Sequence, residues 1–268
     1  MSATIGVATG GAKSGAMLEV RDLQHWFGGL HVINGVSFSV QPGIVKAIIG
    51  PNGAGKTTLF NLVAGSLTPV SGAILFEGRP TTGLAPHRVA ARGICRTFQA
   101  TRLFPRMTVL ENVMVGRHAR TRRGFLAGLG GPAFTGREEK ILRQACMDVL
   151  DDLGIAELAY HDALDLPFGR QRVVELARAL AAEPRLLLLD EPACGLNPRE
   201  TEEMAGLIAR IRGRGMTVLV VEHDMSLVMG ISDEVMVLCY GEMIAEGTPR
   251  EIQADPAVVS VYLGAGDA

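Results

Sequence analysis

The stretch from Val45 to Gly65 constrains the chain more than any other. An apolar run, VKAIIG, ends in glycine, enters the turn GPNGAGKTT and continues as the helical pattern GKTTLFNLVAG. Such a run suits a strand buried on both faces, and a strand buried that way needs helices packed over its sheet. The turn Gly50–Thr58 fits G-x-x-x-x-G-K-[ST], in which glycines let successive N–H groups curl inward as an anion nest. Gly50, Pro51, Asn52, Gly53, Ala54 and Gly55 then form a phosphate cradle. Lys56 reaches the outer phosphates, and Thr57 and Thr58 close the site, Thr57 offering its hydroxyl to Mg²⁺.

The rest of the chain repeats the strand and helix alternation. VSFSV (36–40) has the period of a half-buried strand, and GAILFEG (72–78) is another strand between glycines. Between about 102 and 161 almost nothing reads as strand. Two helical segments, TVLENVMVGRH and REEKILRQACMDVLDDLGI, flank a glycine-rich joint there. The alternation then returns: helix 169–182, strand 185–189, helix 198–213, strand 216–221, a short helix, strand 233–239, EMIAEG and a helical tail. This predicts an α/β fold with a mostly parallel sheet and an inserted helical subdomain. Residues 1–16 read as a disordered tail. One domain spans 17–264, with its core at 17–101 and 162–264 and the helical part at about 102–161.

Composition removes several alternatives. A formal net charge of −2 over 268 residues gives no global reason to bind nucleic acid. The longest apolar runs are strand-length, far below the roughly 20 residues of a membrane span. The four cysteines, Cys95, Cys146, Cys194 and Cys239, are scattered and include no C-x-x-C pair.

Two strand ends downstream carry acid–base groups. RLLLLDEP delivers Asp190 to the sheet's carboxyl edge, where ligands gather in open α/β sheets. Asp190 suits the metal-side carboxylate that partners a phosphate loop, and Glu191 suits a base for the attacking water. Taken alone, such an acidic pair also reads as a helix cap or turn cluster. VVEHD brings His223 to the same edge. A further helix opens at LPFGR, Leu166 to Arg170, with amides suited to an anion but no lysine to hold one.

Phosphate loop, glycine-led helix, LLLLDEP and a strand ending in histidine, in that order, resemble the ATP-binding cassette (ABC) ATPases from about Leu18 to Gly264. RTFQ supplies that family's glutamine, Gln99. The resemblance implies a P-loop cassette fold with an antiparallel β subdomain, and ATP and Mg²⁺ as cofactors. It also implies head-to-tail pairing, in which one chain's Leu166, Pro167, Phe168, Gly169 and Arg170 approach the γ-phosphate held by the other. On the same basis Phe27 stacks on adenine, with core packing, or Trp26 facing the pocket, as the alternatives. Gln99 senses Mg²⁺ and water, Glu191 is the general base and His223 touches the γ-phosphate. CGLN, ending at Asn197, forms the loop that crosses between protomers.

The chain departs from the family's usual Leu-Ser-Gly-Gly-Gln at Pro167, Phe168 and Arg170, and from the usual aspartate at Asn197. The γ-phosphate contact must then come from backbone N–H groups and the helix dipole. LPFG, RTFQATRLFPRMTVLENVMVG, DEPACGLNPRE and GTPREIQADPAVVSVYLG resemble the ATPase subunits of branched-chain amino acid importers. Importers of urea and short-chain amides use near relatives, and the lipopolysaccharide-export ATPase has a similar tail; these are the alternatives that the resemblance leaves. A soluble cassette ATPase of DNA repair or translation and an ATP-sensing regulatory module are the rivals. The implied partners are a second ABC ATPase chain, identical or related, integral membrane permeases and, indirectly, a periplasmic solute-binding protein, with no nucleic acid. The implied location is the cytoplasmic face of the bacterial inner membrane. The arginines Arg117, Arg120, Arg122 and Arg123 read as a solvated helix end or as a contact with a membrane subunit or anionic lipid.

Overall fold

The computed structural model describes residues 15–97, 103–118 and 132–264. Strand β3 (Val45–Ile49) is buried along its whole length inside a six-stranded sheet. It pairs in parallel with β8 (Thr217–Val221) on one side and β9 (Glu234–Cys239) on the other. Beyond β8 the parallel array continues through β7 (Leu186–Asp190) to β6 (Ile94–Arg96). Beyond β9 the sheet ends in β10 (Glu242–Gly247), the one antiparallel member.

Alternate side chains of these strands feed two separate cores, which is why their sequences read as unbroken apolar runs. Val45, Ala47, Leu187, Leu189, Val218 and Val220 enter one core, and Ile48, Leu186, Leu188, Leu219 and Val221 the other. The second core is covered by α1 (Lys56–Val63), by α2 (Pro86–Ala91) and by a four-stranded antiparallel sheet. That sheet runs β2 (Leu30–Val40), β1 (Leu18–Phe27), β4 (Ser71–Phe76), β5 (Arg79–Pro80). The first core lies under α3 (Val109–His118), α4 (Pro132–Asp152), α5 (Phe168–Ala181), α6 (Pro198–Gly213), α7 (Met225–Ile231), α8 (Pro249–Ala254) and α9 (Pro256–Gly264).

The described elements between Leu103 and His161 are helical. They leave and rejoin the rest of the chain at one place, where Thr108 bridges Asp162 and Val109 N–H donates to the His161 carbonyl at 3.0 Å. Strands β1 and β6 and helix α2 have no counterpart in the sequence pattern, nor does the two-residue β5. Strand β1 is irregular, with Asp22 at φ 43° and register shifts against both neighbours, so its side chains never alternate long enough to betray it. Strand β6 is three residues long and α2 six.

Lys46, on the central strand, has no exposure. Its Nζ donates to the Ser39 carbonyl at 2.7 Å, to Glu234 Oε2 at 3.1 Å, and to Glu246. Carboxylates from β9 and β10 thus neutralise a charge buried in β3, which would otherwise destabilise the core strongly.

Candidate functional site

Register brings the chemistry to one edge. Ile48 lies beside Val221, and Val221 beside Asp190, across three parallel strands. The residues that follow, Gly50, His223 and Glu191, therefore leave the sheet at the same level.

The phosphate loop is built by three glycines at positive φ: Gly50 (151°), Gly53 (79°) and Gly55 (101°). A Cβ on Gly50 would overlap the Leu238 carbonyl oxygen, and one on Gly55 would sit 2.6 Å from the Val32 carbonyl. The turn after β9 walls the loop from behind, Gly241 N–H donating to the Ala54 carbonyl at 3.0 Å. Ala54, Gly55 and Lys56 are buried, Pro51 and Thr58 half-buried, and Asn52, Gly53 and Thr57 exposed. Helix α1 has no side-chain cap at Gly55, so its first amides are available to an anion. Lys56 Nζ donates to the Gly50 and Pro51 carbonyls at 2.6 and 2.9 Å. Burial lowers the pKa of Lys56, and the charge of Glu191 partly opposes that shift. Residues 135 positions apart thus share one electrostatic environment.

Asp190 is 1% exposed. Arg96, at the end of β6, donates to its Oδ2 at 2.5 Å and to Asn61 Oδ1 on α1 at 2.6 Å. Asp190 Oδ1 is buried and has no hydrogen-bond partner among the described residues. An orphaned carboxylate oxygen together with the Thr57 hydroxyl is a hard-oxygen donor set of the kind Mg²⁺ takes. Glu191 is half-buried and adopts φ 48°, a left-handed conformation that costs a non-glycine residue about 1 kcal/mol. Its N–H is tied to the Val221 carbonyl at 2.9 Å. The His223 side chain is 61% exposed just beyond β8.

The tip of α5 is assembled differently. Pro167 is the N-cap and supplies no side-chain acceptor; Phe168 and Arg170 are exposed, Leu166 is half-buried and Gly169 buried. Gln171 closes the preceding turn by donating from Nε2 to the carbonyls of Leu164 (3.1 Å) and Leu166 (2.8 Å). A Cβ on Gly169 would meet Glu200 Oε1 at 2.5 Å, so a larger residue there would displace the Glu200 side chain that closes the cap of α6. Arg172 stacks on the Phe168 ring at 5.2 Å and reaches the Cys194 carbonyl at 3.4 Å. The Phe168 ring itself covers Gly195. Asn197 caps α6, its Oδ1 accepting from Glu200 N–H at 3.0 Å and Glu200 returning the bond. A groove of about 300 Å³ runs between the two helix tips, lined by Pro167, Arg170, Asn197, Glu200 and Glu203 among others.

Phe27 ends β1 half exposed, edge-on to His25 at 4.7 Å, and so is not part of the core. Trp26 stacks instead on His31. Gln99 lies outside the described residues, as do Arg120, Arg122 and Arg123; Arg117 pairs with Glu183 at 2.7 Å. Arg96, Gln171 and Glu222 escaped the sequence reading. Polar residues without a motif carry no signal of what they touch. Glu222 alone had a clue, a carboxylate between an unbroken apolar strand and a site histidine.

Residues 33–194 match the ABC transporter family, and residues 242–268 match the branched-chain amino acid ATP-binding cassette transporter family. The chain belongs to the ABC transporter ATP-binding proteins. Among its relatives is the high-affinity branched-chain amino acid transport ATP-binding protein BraF of Pseudomonas aeruginosa, 45% identical over 92% of this chain and 98% of the relative. The Escherichia coli K12 protein LivG, of the same description, is 43% identical over the same shares. A solved ATP-binding cassette of an ABC transporter in its ADP conformation superposes with a TM-score of 0.80 at 31% identity, covering 93% of this chain and 99% of that one. A dimeric cassette in a post-hydrolysis state, bound to ADP and Pi, gives 0.73 at 26% identity over 87% and 99%. Among the described residues no helix is long and apolar enough to cross a membrane.

Proposed function

We propose that this chain is the ATP-binding subunit of a branched-chain amino acid importer, and that it hydrolyses ATP in a site completed by a second cassette. The observation that carries the reading is the strand register that brings the Gly50–Thr58 loop with Lys56, Asp190 with Glu191, and His223 to one edge of the sheet. It joins a phosphate-binding cation to a carboxylate poised to accept a proton.

In this reading the Gly50–Thr58 loop and Lys56 hold the triphosphate while Phe27 stacks on adenine. Thr57, Asp190 and Gln99 would hold Mg²⁺, which would supply charge neutralisation at the outer phosphate oxygens. Glu191 accepts a proton from water as the water oxygen bonds to the γ-phosphorus and the bond to the ADP oxygen breaks. His223 orients the γ-phosphate. The partner's helix tip, Leu166 to Arg170, meets that phosphate from the far side through backbone amides, with Asn197 on the crossing loop. Dimerisation of a relative that holds ADP and Pi supports this arrangement. The closing motion is passed to membrane permeases at the inner membrane's cytoplasmic face, and a periplasmic solute-binding protein delivers the cargo.

The test is uptake into vesicles carrying this chain with its membrane subunits and the solute-binding protein. ATP-dependent accumulation of leucine, isoleucine or valine, matched by phosphate release, is expected. Phosphate release indifferent to all three amino acids would overturn the cargo, and uptake indifferent to ATP would overturn the role.

A further inference from the structure

Glu222 carries an ionisable group into complete burial, one residue before His223. Its carboxylate divides its two oxygens between two loops. Oε1 accepts from Ala193 N–H at 2.8 Å, within the segment that leads from Glu191 to Asn197. Oε2 accepts from His223 N–H at 3.0 Å and from Asp224 N–H at 3.3 Å. Three backbone donors can hold a buried carboxylate, but only while all of them stay in place, since each lost bond leaves a desolvated charge less satisfied.

We propose that Glu222 is a positioning residue for the reaction assigned above: a clasp that makes the Glu191–Asn197 loop and the His223 turn move as one body. The clasp sits in a continuous chain of contacts. On its far side the same loop is held by α5, where Arg172 Nη2 donates to the Cys194 carbonyl and the Phe168 ring lies over Gly195. On its near side Asp224 caps α7, its Oδ1 accepting from Ser226 N–H at 2.9 Å and Leu227 N–H at 3.1 Å, so the histidine turn rides on a helix. A displacement of the α5 tip against a neighbouring cassette therefore reaches His223 through Glu222. The inference rests on the proposed ATPase role only for its kinetic consequences; the clasp itself is a matter of local structure.

Glu222→Gln tests it, because an amide keeps one acceptor oxygen and turns an NH₂ group toward an N–H that needs an acceptor. In the full chain with its membrane subunits, phosphate release should fall about tenfold to a hundredfold, as when outer supports of catalytic groups are removed, with ATP affinity changed less than about twofold. Combining it with His223→Ala should lose little beyond the larger single effect, whereas additive losses would overturn the coupling. Hydrogen exchange should quicken together in 191–197 and 222–226; quickening in neither, or in one alone, rejects the clasp. If the unmodified chain releases no phosphate, the proposed function falls while hydrogen exchange still decides the clasp. Should the glutamine variant not fold, Glu222→Asp keeps the charge and shortens the reach to a single loop, with the same expected split between rate and affinity.

Discussion

The two surfaces proposed to meet at ATP are held in place by opposite means. The phosphate loop is fixed by backbone: the Leu238 carbonyl stands where Gly50 would carry a Cβ and the Val32 carbonyl crowds that of Gly55, and Gly241 bonds to Ala54. The α5 tip is fixed by side chains: the Gln171 amide, the Phe168 ring and the Arg172 guanidinium. Backbone walls tolerate one sequence, whereas side-chain supports can be exchanged for others that hold the same amides. This difference accounts for where the chain departs from the family's usual residues. The loop has none of the departures, and Pro167, Phe168 and Arg170 lie at the tip.

The backbone-held loop is the more sensitive of the two to substitution. Gly50→Ala forces a Cβ into the Leu238 carbonyl at a φ that only glycine adopts freely. It should abolish ATP binding and cost about 2–3 kcal/mol of stability, read by nucleotide titration and thermal unfolding. A variant that binds normally would show that the wall yields. Glu191→Gln comes next: turnover should drop on the order of a thousandfold while ATP stays bound and the paired state accumulates. Turnover at the original rate would remove Glu191 as the base.

At the side-chain end the effects should be smaller and repairable. A Cβ on Gly195 would meet the Phe168 ring at 2.9 Å, at φ 80°. Gly195→Ala should cost about 1–2 kcal/mol, and adding Phe168→Ala should recover part of it; strict additivity in denaturant melts would mean that the ring gives no support. The smallest effect is a pH dependence. Burial lowers Lys56 from the usual 10.5, so the unfolded chain binds that proton more readily. Stability without nucleotide should therefore rise with pH between the lowered value and 10.5. ATP affinity, which needs the ammonium, should fall over the same window. Lys56→Arg should flatten both curves, and parallel trends in the two would contradict the assignment.

Reading the sequence worked where a local pattern had only one physical use. Unbroken apolar runs announced strands buried on both faces, and glycine spacing announced the loop between β3 and α1. It did not reach features set by distant partners. Arg96 meets Asp190 across 94 positions, and nothing near either residue signals it. Glu222 is polar at a strand end, which ordinarily means solvent, yet three amides converge on it. The left-handed turn at Glu191 is invisible because no glycine marks it. Strand β1 was hidden by its own irregularity, since shifted register defeats any two-residue period.

Strand β3 also imposes an order on synthesis. Its partners are β8 and β9, and among the described residues the carboxylates that neutralise Lys46 are those of Glu234 and Glu246. The ATP-binding loop leaves the ribosome early, but the segments that brace it follow nearly two hundred residues later. Until β9 and the turn at Gly241 have emerged, the loop lacks its downstream wall, and until β10 follows, Lys46 lacks one of its two carboxylates. Ribosome-bound chains cut short of Glu234 should therefore remain sensitive to protease at Gly50–Thr58, a delay inherent in closing contacts so far apart in the chain.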